Sequence, residues 1–176
     1  MTPSSTATDI PAYHHRHEPW GGRPALPRGL REEAESTMSL TSWSDLISEY
    51  SPTGGPLRLG SWECADGTDG PARRCARSPR TYRATLAIGD RIETATAAAG
   101  GPVAALTAML YERGIGLETL EFHQRSHGDP HDPMIATFIH GTDGSRRAWA
   151  MGVSGDAGDS ALRAVIACAN RLLAAA

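Results

Sequence analysis

Lysine is absent, and all 17 basic residues are arginine. Without a lysine ammonium the chain can carry neither a Walker-type phosphate loop nor a lysine Schiff base, which removes two large enzyme classes. Large side chains are scarce too, with two Phe, four Trp and four Tyr, so a core has to come mostly from Leu, Ile, Val and Ala. Cysteine is limited to Cys64, Cys75 and Cys168, an odd number with no CxxC pair. That argues against a disulfide framework and a zinc site, and it fits a reduced, cytoplasmic setting. No apolar run approaches the ~18 residues of a membrane span, and the N-terminus has no apolar signal segment, so a soluble protein without membrane contact is expected. The net charge of −3 gives no electrostatic footprint for nucleic acid. Arg73, Arg74, Arg77 and Arg80 form a local basic run, but it lies among Pro and Gly and reads as a solvated loop.

What is present suits one domain with a tail: 176 residues, 40% of them hydrophobic. Residues 1–38 read as a disordered tail, punctuated by Pro3, Pro11, Pro19, Pro24 and Pro27 and without a sustained period. A short helix is predicted from Ser42 to Tyr50, with Ser42 as cap, Asp45 at the third helical position, and Trp43, Leu46, Ile47 and Tyr50 at helical spacing. Pro52, Gly54 and Gly55 stop it.

From there a pattern repeats. Pro56 to Cys64 reads as a strand with Leu57, Leu59 and Ser61 on one face, and a Gly/Pro/Arg-rich connection, Asp66 to Pro79, follows. Tyr82, Ala84, Leu86 and Ile88 alternate with polar or small residues as a half-buried strand does. Gly89-Asp90 suits a hairpin turn, Arg91 to Ala97 returns, and Gly100-Gly101-Pro102 opens a helix with proline at its first position. Val103, Leu106 and Leu110 line that helix until Gly114. The second half does the same: a strand from Leu117 to Arg125, a loop from His127 to Pro133, a strand from Met134 to His140, a turn at Asp143-Gly144, and a strand from Arg146 to Val153. A helix capped by Asp159 or Ser160 then carries Leu162, Val165, Ile166, Ala169 and Leu172. The fold class is therefore α+β: two consecutive βββα units, about 56–114 and 115–174, packed as a pseudo-twofold pair within a domain spanning 39–176, since one unit alone would leave a sheet face bare.

Several clusters invite chemistry. His14, His15 and His17 beside Glu18 could ligate a metal, but the tail offers no frame to hold them. His123, His127 and His131 recur every four residues near Asp129 and Asp132, yet Gly128, Pro130 and Pro133 forbid the helix that would align them, which leaves a loop metal site or a small enzyme as the remaining alternatives. Gly152-Val153-Ser154-Gly155 sits between a strand and a helix like a hydrolase nucleophile turn, but Asp156 takes the place of the last glycine of GxSxG. The same turn reads better as small residues bringing backbone N–H groups to a helix N-terminus, as does Ala99-Gly100-Gly101-Pro102. Two such turns could each receive a carboxylate, or they could be no more than tight strand–helix connections.

At these residues the sequence resembles a known family. Gly100-Gly101-Pro102-Val103-Ala104-Ala105-Leu106 resembles the GxGNGPVDA segment of the C-terminal regulatory domain of 2-isopropylmalate synthase. Leu120-Glu121-Phe122-His123 is similar to its VLDYYEH strand. Gly152-Val153, Ala161-Leu162-Arg163-Ala164-Val165 and Ala169-Asn170-Arg171 resemble its closing GVG strand and SLRAxxxAxNR helix, and the likeness extends over roughly residues 42–173. Ala97 and Ala99 stand where the family has glycines, Gly100 where it has asparagine, and Phe122 and His123 where tyrosines are usual. The resemblance implies two βββα units, dimer contacts and the binding of leucine or a similar small amino acid effector, in a chain too short for the synthase's catalytic barrel, which needs about 250 residues. It implies no catalytic residues, no metal and no cofactor. On that basis the carboxylate is expected near Gly100, Gly101 and Pro102, and the aliphatic part against Ala105, Leu120, Phe122 and Ile135, with His123 also among the effector-binding residues. The second turn, Ser154 to Ser160, with Ser154 and Asp156 as its effector-binding residues, is expected either to contribute the equivalent site or to pack across the dimer interface. The expected partners are the effector, a second copy of the chain and a separate synthase catalytic subunit. The alternative from another class is a pure assembly module that docks on such a subunit and binds no ligand.

Overall fold

Alternation of Tyr82, Ala84 and Leu86 with Arg83 and Thr85 does produce a strand with one buried face, and that strand is the middle of a sheet. The computed structural model describes residues 25–37, 42–52, 54–65, 79–129 and 132–174. Its elements run α1 (Arg28–Thr37), α2 (Trp43–Tyr50), β1 (Leu57–Cys64), β2 (Arg80–Ile88), β3 (Arg91–Ala99), α3 (Pro102–Tyr111), β4 (Glu118–Asp129), β5 (Asp132–Thr142), β6 (Arg147–Ser154) and α4 (Ala157–Ala174). Two antiparallel three-stranded sheets, β1-β2-β3 and β4-β5-β6, are each followed by a helix, so the α+β class and the paired βββα units stand.

The first sheet turns Leu57, Tyr82, Ala84, Leu86 and Ala95 inward, onto Leu106, Met109 and Leu110 of α3 and Leu172 of α4. Its other face is polar: Ser61 Oγ lies 2.8 Å from Thr85 Oγ1, and Arg83 pairs with Glu63 at 3.2 Å. Ser61 was expected on the inner face beside Leu57 and Leu59. A bulge corrects this, because β1 gains a residue between Leu59 and Trp62, and from there Trp62 and Cys64 face inward instead.

The second sheet is covered on both faces. Ile139 and Ala150 face α4, whereas Ala136, Phe138, Trp149 and Met151 face α1 and α2. This is why residues 136–139 are buried without alternation. The covering helix α1 corrects the expected tail over 28–37. Leu30 and Ala34, one helical turn apart, are buried against that face, and Gly29 lies so close to the Trp149 ring that a Cβ there would sit 3.0 Å from it. Two apolar positions among arginines and glutamates make too faint a stripe to read alone. Residues 1–24, with the His14–His17 cluster, lie outside the described residues, as do most of the Asp66–Pro79 connection, Cys75 and His131.

Local signals placed most boundaries. Ser42 and Asp45 form a reciprocal capping box on α2. Gly114, at φ 77°, closes α3 by donating to Tyr111 while Ile115 donates back to Leu110. Two expectations need correction. The described residues of His127 to Pro133 are not loop: β4 and β5 continue their ladder through 127–129 and 132–133, pairing His127 with Met134 and Asp129 with Asp132. The cap of α4 is not Asp159 or Ser160 but Asp156, whose Oδ1 accepts the Asp159 N–H at 2.8 Å while its carbonyl accepts from Ser160.

Candidate functional site: the groove at the start of helix α3

Helix α3 begins without a side-chain cap. Gly101 precedes it in extended backbone, Pro102 has no N–H to give, and the first intrahelical bond runs from Ala105 N–H to the Gly101 carbonyl. The N–H groups of Val103 and Ala104 thus lie at the positive end of the helix, ahead of its hydrogen-bond ladder. A groove of about 600 Å³ opens there, lined by Gly101, Pro102, Val103, Ala104, Thr107, Leu117, Glu118 and Thr119. Most of this wall is apolar, and Glu118 is the one acidic residue among those described that line it. Thr107 turns its hydroxyl back onto the Val103 and Ala104 carbonyls, both at 3.1 Å.

The corresponding end of α4 is filled by the chain itself. Asp156 caps the helix, and Ser154 Oγ donates to Asp159 Oδ2 at 2.7 Å, which also receives Arg163 at 2.9 Å. Two carboxylates already occupy the place an anionic ligand would take, so the two turns are equivalent in topology and unlike in chemistry.

Of the residues named from sequence, Gly101 and Pro102 line the groove and Gly100 adjoins it. Ala105 is enclosed by the core at 0% exposure and offers no surface to a ligand. Leu120 and Phe122 are exposed on edge strand β4, at 40% and 46%. His123 stacks near Trp149, and Ile135 pairs with Ser126 and Ser154 at the far end of its sheet. Val103, Ala104 and Thr107 were missed, although their spacing puts them on one helix face, as were Leu117, Glu118 and Thr119 at the entry to β4. Nothing in local sequence says which strand a helix end will meet.

Candidate catalytic groups are quiet. Burial pushes the Cys168 thiol up to about 12, which keeps it from forming a thiolate. Burial likewise raises Tyr50 to about 12, beneath the Arg171 guanidinium 4.6 Å from its ring. Among the described residues no group of three His, Cys, Asp or Glu side chains is placed to hold a metal ion, and no helix is long and apolar enough to cross a membrane.

The family model for the LeuA allosteric (dimerisation) domain matches residues 49–173, that is, both βββα units and the groove between α3 and β4. The chain belongs to this family. Among curated relatives, the 2-isopropylmalate synthase of Parafrankia sp. (strain EAN1pec) is 30% identical over 130 residues, covering 73% of this chain and 22% of that protein. The 2-isopropylmalate synthase of Pseudarthrobacter chlorophenolicus is 26% identical over 137 residues, covering 74% and 22%. That of Leifsonia xyli subsp. xyli is 29% identical over 91 residues, covering 52% and 15%. The chain thus spans about a fifth of the length of the relatives it matches most extensively. Helix α1 lies ahead of the residues that the family model matches.

Proposed function

We propose that the chain is a regulatory and dimerisation module linked to leucine biosynthesis, without catalytic activity of its own, and that it takes leucine or a related small amino acid as effector. The observation that carries this reading is the open, uncapped N-terminus of α3 facing a mostly apolar groove that Glu118 borders, in a member of an allosteric domain family. An α-amino acid matches those walls group by group. Its carboxylate accepts from the Val103 and Ala104 N–H groups, its ammonium meets Glu118, and its aliphatic part lies on Val103 and Leu117. The self-capped α4 turn predicts one effector per chain.

Calorimetric titration with leucine, isoleucine, valine and lysine is the test. Leucine at about 100 times its Kd adds about 2.7 kcal/mol of stability, a rise of roughly 5–10 °C in the unfolding midpoint. Thr107→Trp, which fills the groove from a half-buried position on α3, is expected to abolish the heat while leaving the fold intact. Absence of heat and of stabilisation at millimolar leucine, isoleucine and valine would remove the sensing half of the reading.

Assembly has its own support. Leu120 and Phe122 expose apolar surface on an edge strand, where a second copy is expected to dock. Sedimentation or light scattering should report a dimer that Phe122→Glu converts to monomer; a wild-type monomer at all concentrations would refute it. The second reading, a module docking on a separate synthase catalytic subunit with no metabolite, is favoured by the same patch. It predicts an assembled protein with a silent titration.

A further inference from the structure

On the α1 side of the second sheet, the carboxylate of Glu121 stands between two imidazoles. Its Oε2 lies 3.3 Å from His123 Nε2 and its Oε1 lies 3.3 Å from His140 Nδ1. The His140 ring stacks on Trp149 at 4.7 Å and 5° between planes, and His123 lies at 6.2 Å from the same indole. One contact runs along β4, one crosses to β5, and the stack reaches β6, so all three strands of the sheet are tied at one place. Glu121 is also the first paired residue after the bulge in β4, whose register shifts between Thr119 and Glu121.

We propose that Glu121, His123 and His140, stacked against Trp149, form a proton-operated clasp that holds strand β4 at its bulge. A neutral imidazole offers one N–H and one lone pair, whereas an imidazolium donates from both nitrogens. Its charge then meets a carboxylate on one side and an indole face on the other. Both contacts therefore strengthen when the histidines are charged. Opposing charge on this face comes from Arg125 of β4 and Arg147 of β6, which the register places beside His123 and Trp149. The neighbouring helices add little net charge: on α1, Arg28 is paired with Glu32, Glu33 is engaged with Arg171, and Arg31 and Glu35 are exposed. On α2, Glu49 binds Arg171 and Asp45 serves the cap.

The working range has two ends. Glu121 is held below the ordinary carboxylate value, first by its hydrogen bond with His123. A group whose folded pKa is depressed contributes stability above its ordinary range and loses it as pH falls through the folded value. At the other end, loss of imidazole charge takes the charge assistance away from both contacts. The clasp is tight while the imidazoles are charged and slackens when they are neutral. Glu118 and Thr119, on the other side of the bulge, line the groove, so clasp and groove share a wall. The regulatory meaning of that shared wall rests on the effector reading; the clasp itself does not.

Amide hydrogen exchange of residues 118–123 in the whole chain, from about pH 5 to about pH 8 and corrected for intrinsic exchange, is the test. Two exposed pairs of ordinary surface strength should raise the opening of β4 about two- to fivefold across that range. Glu121→Gln, nearly isosteric and on an exposed side chain, should flatten the dependence, as should His140→Gln, while β2 stays unchanged in all three proteins. Equal corrected exchange at both ends in the wild type, or an undiminished dependence in Glu121→Gln, overturns the clasp. Leucine affinity measured over the same range then separates the two ideas: pH-dependent exchange with pH-independent binding keeps the clasp and removes its link to the groove.

Discussion

Gly152→Ala is expected to lower the unfolding midpoint by about 10 °C. A Cβ at this position would lie 2.2 Å from the Ser160 carbonyl oxygen, 2.5 Å from the Ala164 nitrogen and 2.8 Å from Arg163 Cβ. The first two are backbone atoms of α4 and have no rotamer to escape into, so the helix itself must lift. It is held down along its length, since a Cβ on Gly141 would meet Cys168 Sγ at 2.6 Å and Ala150, Ala161 and Ala164 are all buried in the same layer. Overpacking of this kind reaches the upper end of its usual cost, about 3 kcal/mol, and each kcal/mol moves the midpoint by roughly 2–4 °C in a domain of this size. Gly116→Ala is the control, because a Cβ there meets nothing within 4 Å; calorimetric melts should leave it within about 2 °C of wild type. Equal melting of the two variants would mean that α4 does not press on β6 as described.

Asn170→Ala is expected to cost about 3 kcal/mol. The Asn170 amide accepts from Leu57 N–H at 2.9 Å and donates to the Leu57 carbonyl at 2.8 Å, both buried. Truncation leaves a donor and an acceptor on β1 without partners, each worth about 1–3 kcal/mol when buried. Asn170→Asp should be worse at neutral pH. It can still accept from the N–H, but its second oxygen then faces a carbonyl oxygen, and a charge is buried with it. Denaturant titration should rank wild type above Ala above Asp. The gap between the two variants should narrow in acid, where a protonated carboxyl can donate again. An Asp variant as stable as wild type would show that the amide donates nothing to β1.

Much of this architecture could be read from local patterns, because strand alternation, hairpin glycines, the Ser42–Asp45 cap and the Gly114 stop are encoded within a few residues of where they act. The failures share a cause. Helix α1 depends on Leu30 and Ala34 meeting a sheet face formed about a hundred residues later, and the β1 bulge is visible only against its partner strand. The candidate groove divides the same way. Gly101 and Pro102 could be identified because a helix start has a local grammar, while Glu118 and Thr119 enter through the meeting of α3 with β4. Ala105 followed the motif and not the geometry, since one turn into the helix its side chain has already rotated into the core.

The bond between Asn170 and Leu57 spans 113 residues of sequence, and on the ribosome that separation becomes a delay. At the usual pace of synthesis, the first sheet waits roughly 6–23 s after Leu57 is made before the residue that fastens it is translated. Until then its inner face has α3 but not α4. A nascent chain in that interval presents Leu57 and its neighbours to chaperones or to other nascent chains, and slowing of translation between α3 and α4 lengthens the exposure.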